Sequence, residues 1–206
     1  ATISTALFKK GLRNQFIQGI KPLNKKLNNM IGFAYTVRYI PAREDLNKID
    51  VFKNPIHPQR VAIEECPKGY VLIFDSRKNP RAASAGGILI TRLMKRGCAG
   101  VVTDGGFRDS PEIKKLNFPA YHNRPSSPTN LTLHQAIDIN VPIGCGDVAV
   151  WPEDLVVGDQ EGVVIIPSKI INEIAEEVNS MTIYENFVIK EVKKGRSIRG
   201  LYPLTD

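Results

Sequence analysis

The chain has 206 residues, of which 42% are hydrophobic and 24% are charged, and its formal net charge is +7. A chain of this length can bury roughly 70% of its unfolded surface in one folded domain. The composition excludes a disordered or fibrous protein, and no apolar run reaches the length of a membrane-spanning helix, about 18 residues.

The basic residues are scattered and are not combined with aromatic residues in an RNA-binding motif. We therefore expect neither a nucleic-acid partner nor a membrane partner. The cysteines Cys66, Cys98 and Cys145 are odd in number and show no CxxC spacing, which favours reduced thiols in the cytoplasm. The histidines lack HxxxH and HxH spacing, which argues against a zinc site.

The first predicted elements are a helix over 4–19 and a strand over 30–40. Ser4 is a suitable N-cap for the helix. The strand alternates Ile31, Phe33, Tyr35, Val37 and Tyr39 with smaller or polar residues, which predicts one crowded face. The segment 42–59 is polar and carries two prolines, so a loop with one helical turn is predicted there.

A strand over 71–75, a helix over 88–96 and a strand over 98–103 follow, and Gly97 is suited to end the helix. This order predicts a parallel βαβ unit.

The last part of the chain begins with a turn-rich stretch over 110–128. Three short β-rich pieces within 147–167 predict an antiparallel meander. Apolar residues at helical spacing predict two final helices, over 168–178 and 182–194. The sequence therefore predicts a single mixed α/β domain over 1–206.

Arg108 and Asp109 follow the predicted strand after two glycines. Because glycine adopts positive φ at little cost, the turn can direct both side chains toward one ligand. A guanidinium binds carboxylates, and an aspartate offers a hard oxygen to Mg²⁺ or Mn²⁺. The pair suits a 2-oxo acid, which has a carboxylate and a chelating carbonyl. A surface ion pair at a strand end is the alternative that these residues leave open.

Gly86 and Gly87 precede the helix that starts at Ile88. Free N–H groups at the positive end of a helix form an anion site. In a parallel unit the helix start and the end of the next strand lie at the same sheet edge. The glycines and the Arg108–Asp109 pair are therefore predicted to share a pocket, unless the glycines only let the helix approach the sheet.

Three further carboxylates are candidates with ordinary structural alternatives. Asp104 is either a metal ligand or a cap for the turn at 105–106, and turn capping accounts for it fully. Asp159 has the same two interpretations within a hairpin turn. Glu185 by itself reads as a solvated carboxylate on a C-terminal helix.

Several catalytic motifs are absent from the sequence. It has no P-loop, GxGxxG, GxSxG or HExxH pattern, so kinase, dehydrogenase, serine-hydrolase and zinc-protease functions lose support. It also has no lysine in clearly apolar surroundings, which disfavours a Schiff-base aldolase.

The segment 97–109, GCAGVVTDGGFRD, resembles the G-x-x-G-V-V-x-D-G-x-x-R-D signature of one family. That family joins regulator of ribonuclease activity A (RraA) with the 4-hydroxy-4-methyl-2-oxoglutarate aldolases. The segments 32–37, 85–89 and 141–167 are similar to its G-x-A-x-T strand, its G-x-x-L helix start and its V-P-V…G-D-x-D-G-V-V-V-V-P region. Glu185, followed by a glycine, fits its late E…G helix.

The resemblance implies a swivelling ββα three-layer sandwich that assembles as a homotrimer or hexamer. It also implies a class II pyruvate aldolase that uses Mg²⁺ or Mn²⁺ and can decarboxylate oxaloacetate. The implied site residues are Arg108 for catalysis and substrate binding, Asp109 for the metal, the backbone N–H groups of Gly87, Ile88 and Leu89 for the pyruvyl carboxylate, and a neighbouring subunit's Glu185 for catalysis at the metal's water shell.

The chain departs from the family pattern at three places. Gly87 stands where many members carry an acidic or amide side chain, Gly146–Asp147 replaces Gly-Gly, and 151–154 replaces V-x-P-G-D. These departures leave the identity of the 2-oxo acid open. A non-catalytic RraA-type regulator of RNase E is the second function considered, although an inhibitor of a basic, RNA-binding partner should be acidic. A structural paralogue without activity is the third.

Overall fold

A computed structural model describes residues 1–203 of the chain. The chain divides into two compact units: a helical unit, Ala1–Arg13 with Lys169–Asp206, and a sheet unit, Asn14–Ser168. No helix within the described residues is long and apolar enough to cross a membrane.

Helices occur in both units. The α-helices are α1 (Thr2–Lys9), α2 (Pro58–Glu65), α3 (Gly87–Arg96), α4 (Ser110–Lys115) and α5 (Ile171–Lys193), and short 3-10 helices cover Ile49–Lys53, Asn130–Thr132 and Ser168–Ile170.

All strands of the described residues belong to the sheet unit. In chain order they are β1 (Lys21–Pro22), β2 (Met30–Pro41), β3 (Tyr70–Asp75), β4 (Ala83–Ala85), β5 (Gly100–Thr103), β6 (Gly106–Phe107), β7 (Ala120–His122), β8 (Arg124–Pro125), β9 (His134–Ile139), β10 (Ile143–Cys145), β11 (Val148–Val150), β12 (Leu155–Gly158) and β13 (Val163–Ile166).

The main sheet has the order β1-β7-β5-β3-β2-β12-β13, and β9 also pairs with β2. Strands β2, β3, β5 and β7 run parallel to one another. The predicted parallel βαβ unit is confirmed as β3, α3 and β5, and Gly97 ends α3 with a left-handed φ of 81°. Strands β4, β6 and β8 form a small parallel sheet, and β10 and β11 form a separate hairpin.

The main sheet is buried on both faces, as parallel strands usually are. Along β3, Leu72 and Phe74 pack in a cluster with residues of α2, α3 and α4. The alternate residues, Val71 and Ile73, pack in a second cluster with the β10–β11 hairpin. This layering of helices, main sheet and hairpin confirms the predicted three-layer α/β sandwich.

The helical unit differs from the sequence prediction at two places. Helix α1 ends at Lys9, ten residues before the predicted end, and the turn that follows contains Gly11 with a φ of 83°. The two predicted C-terminal helices are one continuous helix, because no glycine or proline interrupts 171–193. Within it, the Thr182 hydroxyl donates a hydrogen bond to the carbonyl of Val178, 2.7 Å away.

Three predictions for the sheet unit are corrected. The loop with one helical turn predicted over 42–59 is confirmed by the 3-10 helix Ile49–Lys53, but the segment ends in helix α2, whose first residue is a proline placed where a helix tolerates it. The predicted three-stranded meander is confirmed for β12 and β13, which pair antiparallel, and is wrong for β11, which pairs with β10. Strand β12 pairs with β2 on its other side. On β2 the crowded face is buried only from Tyr35 onward; Ile31 and Phe33 are 60% and 41% exposed.

Candidate functional site

The Arg108–Asp109 turn links the small parallel sheet to α4. Strand β6 ends at Phe107, and Asp109 occupies the N-cap position of α4 with a left-handed φ of 58°. The predicted positive φ at the preceding glycines is wrong. Gly105 and Gly106 are instead required by close packing: an added Cβ would lie 2.6 Å from the Cβ of Ser76 or 2.7 Å from that of Ser126.

The structure brings this turn to the start of α3, as the sheet-edge argument predicts. The Gly87 N–H donates a hydrogen bond of 3.0 Å to Oδ2 of Asp109. The other carboxylate oxygen, Oδ1, lies 3.7 Å from Nε of Arg108. Both side chains remain about half exposed, at 48% for Arg108 and 45% for Asp109, so both are open to a ligand.

The first turn of α3 offers two further amide groups. Its first intrahelical hydrogen bond runs from the Ile90 N–H to the Gly86 carbonyl, 3.1 Å away. The N–H groups of Ile88 and Leu89 therefore precede the intrahelical ladder, at the positive end of the helix dipole. The Gly87 amide, which the resemblance assigns to a substrate carboxylate, is already used by Asp109.

Arg108 and Asp109 both line two concave regions. The larger, of about 640 Å³, also contains His122, Lys114 and Ser126 among its lining residues. The second, of about 370 Å³, is bounded by the α3 start, Arg60 and Asn130. A third region, of about 530 Å³, contains Asp109 and Glu112. A small acid bound at the turn thus has room on several sides.

The donor set fits a hard divalent cation that keeps most of its water ligands. Among the described residues, no three His, Cys, Asp or Glu side chains cluster as a metal site. Mg²⁺ is commonly held by one or two carboxylates together with water and substrate oxygens. The half-exposed Asp109 carboxylate matches that requirement.

Asp104 is a structural residue outside these concave regions. Its buried carboxylate accepts hydrogen bonds from the backbone N–H groups of Ser76, Lys78 and Gly146, at 2.7, 3.0 and 3.1 Å. Burial raises its pKa, against the opposing effect of these amides. The expected capping of its own turn is wrong, because the Gly105 N–H donates to the Thr103 hydroxyl instead.

Asp159 has the predicted hairpin role. Its Oδ1 accepts hydrogen bonds from the N–H groups of Glu161 and Gly162, at 2.8 and 3.2 Å, in the turn between β12 and β13.

Glu185 lies in the helical unit, near the middle of α5. Its carboxylate accepts a hydrogen bond of 2.8 Å from the Thr2 hydroxyl on α1. The predicted delivery of this residue by a neighbouring subunit stays a prediction.

Two buried histidines of the sheet unit, His122 and His134, are neutral at pH 7. Burial lowers the pKa of His122 from 6.5 to about 4. For His134, burial and the nearby Arg77 guanidinium lower the pKa to about 4. Its Nε2 lies 3.1 Å from the carbonyl of Asn79, and its Nδ1 faces Arg77 at 3.2 Å. This arrangement suits an imidazole that carries its proton on Nε2.

Because the pKa of both imidazoles is lowered on folding, the unfolded chain binds more protons between about pH 4 and 6.5. We expect the free energy of unfolding to fall by about 1–2 kcal/mol per histidine from pH 7 to pH 5. Urea denaturation at both pH values measures this change. His134→Gln should flatten the pH dependence, and an unchanged slope in that variant would contradict the assignment.

Sequence reasoning missed Arg60, His122 and Asn130 as residues of these concave regions. None of the three belongs to a local motif. His122 is the last residue of the short strand β7, and Arg60 lies in helix α2, which was not predicted.

The layered fold is that of RraA-type proteins. An RraA-type protein of Streptomyces coelicolor, described as an unusual member of the RNase ES inhibitor RraA protein family, has the same fold. The two structures match with a TM-score of 0.78 at 26% identity, over 95% of this chain and 90% of that chain. The family model for RraA-like proteins, described as Aldolase/RraA, matches residues 1–165. The chain therefore belongs to the RraA-like family.

Two relatives extend this result. A protein of Halalkalibacterium halodurans, named as a candidate 4-hydroxy-4-methyl-2-oxoglutarate aldolase, is 34% identical over 165 residues, which are 80% of this chain and 70% of the relative. An uncharacterized protein of Methanocaldococcus jannaschii is 33% identical over 192 residues, which are 91% of this chain and 85% of the relative. The family thus includes proteins named as aldolases and RraA-type inhibitors.

Proposed function

We propose that this protein is a divalent-metal-dependent lyase that cleaves a 2-oxo acid to release pyruvate. The reaction is retro-aldol cleavage of a 4-hydroxy-4-methyl-2-oxoglutarate-type substrate, decarboxylation of oxaloacetate, or both. The observation that carries the proposal is the Arg108–Asp109 turn, joined to the start of α3 by the Asp109–Gly87 hydrogen bond. The relative named as a candidate aldolase supports the same reaction class.

Each residue of the site has a separate task in this proposal. Asp109 holds Mg²⁺ or Mn²⁺, and its hydrogen bond to Gly87 fixes the carboxylate in place. The bound metal would polarise the 2-oxo group and stabilise negative charge as the carbon–carbon bond breaks. Arg108 orients the substrate and stabilises the same developing charge. The N–H groups of Ile88 and Leu89 bind the pyruvyl carboxylate. Gly87 contributes indirectly, because its N–H group holds the Asp109 carboxylate.

The two reactions differ in their need for a base. Retro-aldol cleavage requires removal of the proton from the C4 hydroxyl. We assign this proton transfer to Glu185 of the neighbouring copy, which would act through a water molecule near Asp109. Decarboxylation of oxaloacetate requires no such base, so it is the more robust of the two activities.

Pyruvate release from both acids tests the proposal. We expect turnover with Mg²⁺ or Mn²⁺ that exceeds the decarboxylation catalysed by the free metal, and we expect EDTA to abolish it. The ratio of the two rates reports whether retro-aldol proton transfer operates. A protein that binds metal and releases no pyruvate from either acid would refute this substrate assignment.

Gly86→Ala is expected to lower turnover substantially while the protein stays folded. An added Cβ would lie 2.8 Å from Cγ of Arg108 and 2.9 Å from Oδ2 of Asp109, so both side chains must move. The backbone at Gly86 is extended, which alanine also adopts. We expect a loss of about tenfold to a hundredfold in kcat/KM, since small displacements of reacting groups have effects of this order.

Gly87→Ala is the matched control for that variant. Its added Cβ would meet the Cβ of Asp109 at 3.4 Å, an ordinary contact. Steady-state kinetics of both variants should show the larger loss in Gly86→Ala, and equal losses would contradict the crowding argument.

We also propose that the protein assembles as a homotrimer or hexamer that brings Glu185 of one copy to the Arg108–Asp109 turn of another. The exposed apolar side chains of Ile31 and Phe33 support an interface between copies. Light scattering measures the assembly. Co-refolding Glu185→Gln with Arg108→Ala should restore activity above either variant alone if the active site is shared, and no restoration would refute the sharing.

A non-catalytic regulator of RNase E is the second candidate, favoured by the fold shared with the Streptomyces coelicolor protein. The net charge of +7 opposes docking on a basic partner. RNase E inhibition that survives in Asp109→Asn, together with no pyruvate release by the wild type, would favour this candidate over the lyase.

A further inference from the structure

The region of about 370 Å³ beside the Arg108–Asp109 turn is lined by more cationic than anionic side chains. Its lining includes two guanidinium groups, Arg60 and Arg108, and one carboxylate, Asp109. None of the ion pairs found within residues 1–203 involves Arg60. The charge of Arg60 is therefore left available to a ligand in this part of the chain.

Arg60 is held in position by its own helix and by an aromatic ring. Its guanidinium carbon lies 4.5 Å from the centre of the Phe52 ring, a cation–π contact that leaves the edges of the planar group free. Next to it, the buried Gln59 amide donates hydrogen bonds to the Tyr39 hydroxyl and to the Ser84 carbonyl, at 3.1 and 2.7 Å. Because Ser84 lies just before the start of α3, the Gln59 hydrogen bonds fix α2 beside the N-terminal end of α3.

Asn130 supplies a second, independent sign of a ligand. Its side chain is only 3% exposed and lines the same region. The Thr129 hydroxyl lies 3.3 Å from its Oδ1, whereas its Nδ2 has no hydrogen-bond partner among residues 1–203. A buried amide donor without an acceptor is costly, and a ligand oxygen would satisfy it.

We propose that Arg60 and Asn130 form a second carboxylate subsite, opposite the α3 start, which selects dicarboxylic over monocarboxylic 2-oxo acids. The inference rests on the proposed lyase function, whose two candidate substrates are both dicarboxylic, and it assigns the residues that bind their second carboxylate. One end of the acid lies at Arg108 and the first turn of α3, and the far carboxylate is bound by the Arg60 fork and the Asn130 amide. Planar guanidinium groups bind carboxylates through two parallel hydrogen bonds.

Calorimetric binding of two unreactive acids in the presence of Mg²⁺ tests the subsite. The probes are 2-oxoglutarate, which has two carboxylates, and pyruvate, which has one. Arg60→Gln should weaken 2-oxoglutarate binding by about tenfold to a hundredfold, as expected for hydrogen bonds to a charged group, and should change pyruvate binding by less than about twofold. Arg60→Lys keeps the positive charge but loses the planar group that makes two parallel hydrogen bonds. Its affinity for 2-oxoglutarate should lie between those of the wild type and Arg60→Gln.

Arg13→Gln is the matched control, because Arg13 is an exposed arginine over the ring of Phe8 in the helical unit. It should bind both acids as the wild type does. Equal weakening of both acids in Arg60→Gln, or unchanged 2-oxoglutarate affinity, would overturn the subsite while leaving the lyase proposal in place. Failure of the wild type to bind either acid would overturn both. If Arg60→Gln does not fold, the selective loss in Arg60→Lys decides the question.

Discussion

Arg108→Ala is expected to reduce pyruvate release from oxaloacetate by about a hundredfold to a thousandfold, the effect of removing a group that stabilises charge in the transition state. The guanidinium is half exposed, and its ion pair with Asp109 is long, at 3.7 Å. Its removal should therefore change the free energy of unfolding by less than about 0.5 kcal/mol. Initial rates and urea denaturation of the same preparation separate the two effects.

Arg124→Ala is the matched control for Arg108→Ala. Arg124 is an exposed arginine on β8. Strand β8 pairs with β6, and β6 lies immediately before the Arg108–Asp109 turn. Its loss should leave the rate within about twofold of the wild type, as expected for an exposed residue outside the site. Wild-type rates in Arg108→Ala would refute the role assigned to that residue.

Asp104→Ala is expected to destabilise the protein by about 3–5 kcal/mol, since each unsatisfied buried donor costs about 1–3 kcal/mol. Its carboxylate joins three backbone N–H groups from two separate segments, at Ser76, Lys78 and Gly146. Removing it leaves these amides without their acceptor in the interior of the sheet unit. Urea denaturation at pH 7 measures the loss.

Asp159→Ala provides the comparison for Asp104→Ala. Asp159 accepts two backbone hydrogen bonds in a surface hairpin turn, where water can replace the carboxylate. Its loss should cost about 1 kcal/mol. A cost for Asp104→Ala no larger than that for Asp159→Ala would show that water or a shift of the loops compensates for the buried carboxylate.

The elements that the sequence predicted correctly are those specified by local pattern. The β3–α3–β5 unit has a helical apolar face, basic residues in the last turn and a glycine at the end of the helix, all within one short segment. The convergence of Gly87 and Asp109 followed from the rule that both lie at the same edge of a parallel sheet.

Other features depend on contacts that no local pattern contains. Helix α2 follows a polar, proline-containing segment, and its position depends on the Gln59 hydrogen bonds to Tyr39 and Ser84. Arg60 and Asn130 line the same region although they lie far apart in the chain, so no local pattern indicates that they share it. The helix predicted over 4–19 was wrong beyond Lys9 because Phe16 pairs with Val164 as a β-bridge.

The central claim is that the Arg108–Asp109 turn holds a divalent metal and a 2-oxo acid together. Electron paramagnetic resonance of free Mn²⁺ measures metal binding with and without pyruvate. The account predicts that pyruvate tightens Mn²⁺ binding by about tenfold or more, because the oxygens of the 2-oxo acid would bind the metal directly and such coupling is reciprocal. It also predicts that Asp109→Asn loses both the binding and the coupling. Mn²⁺ affinity that is unaffected by pyruvate in the wild type, or unchanged in Asp109→Asn, would contradict the claim.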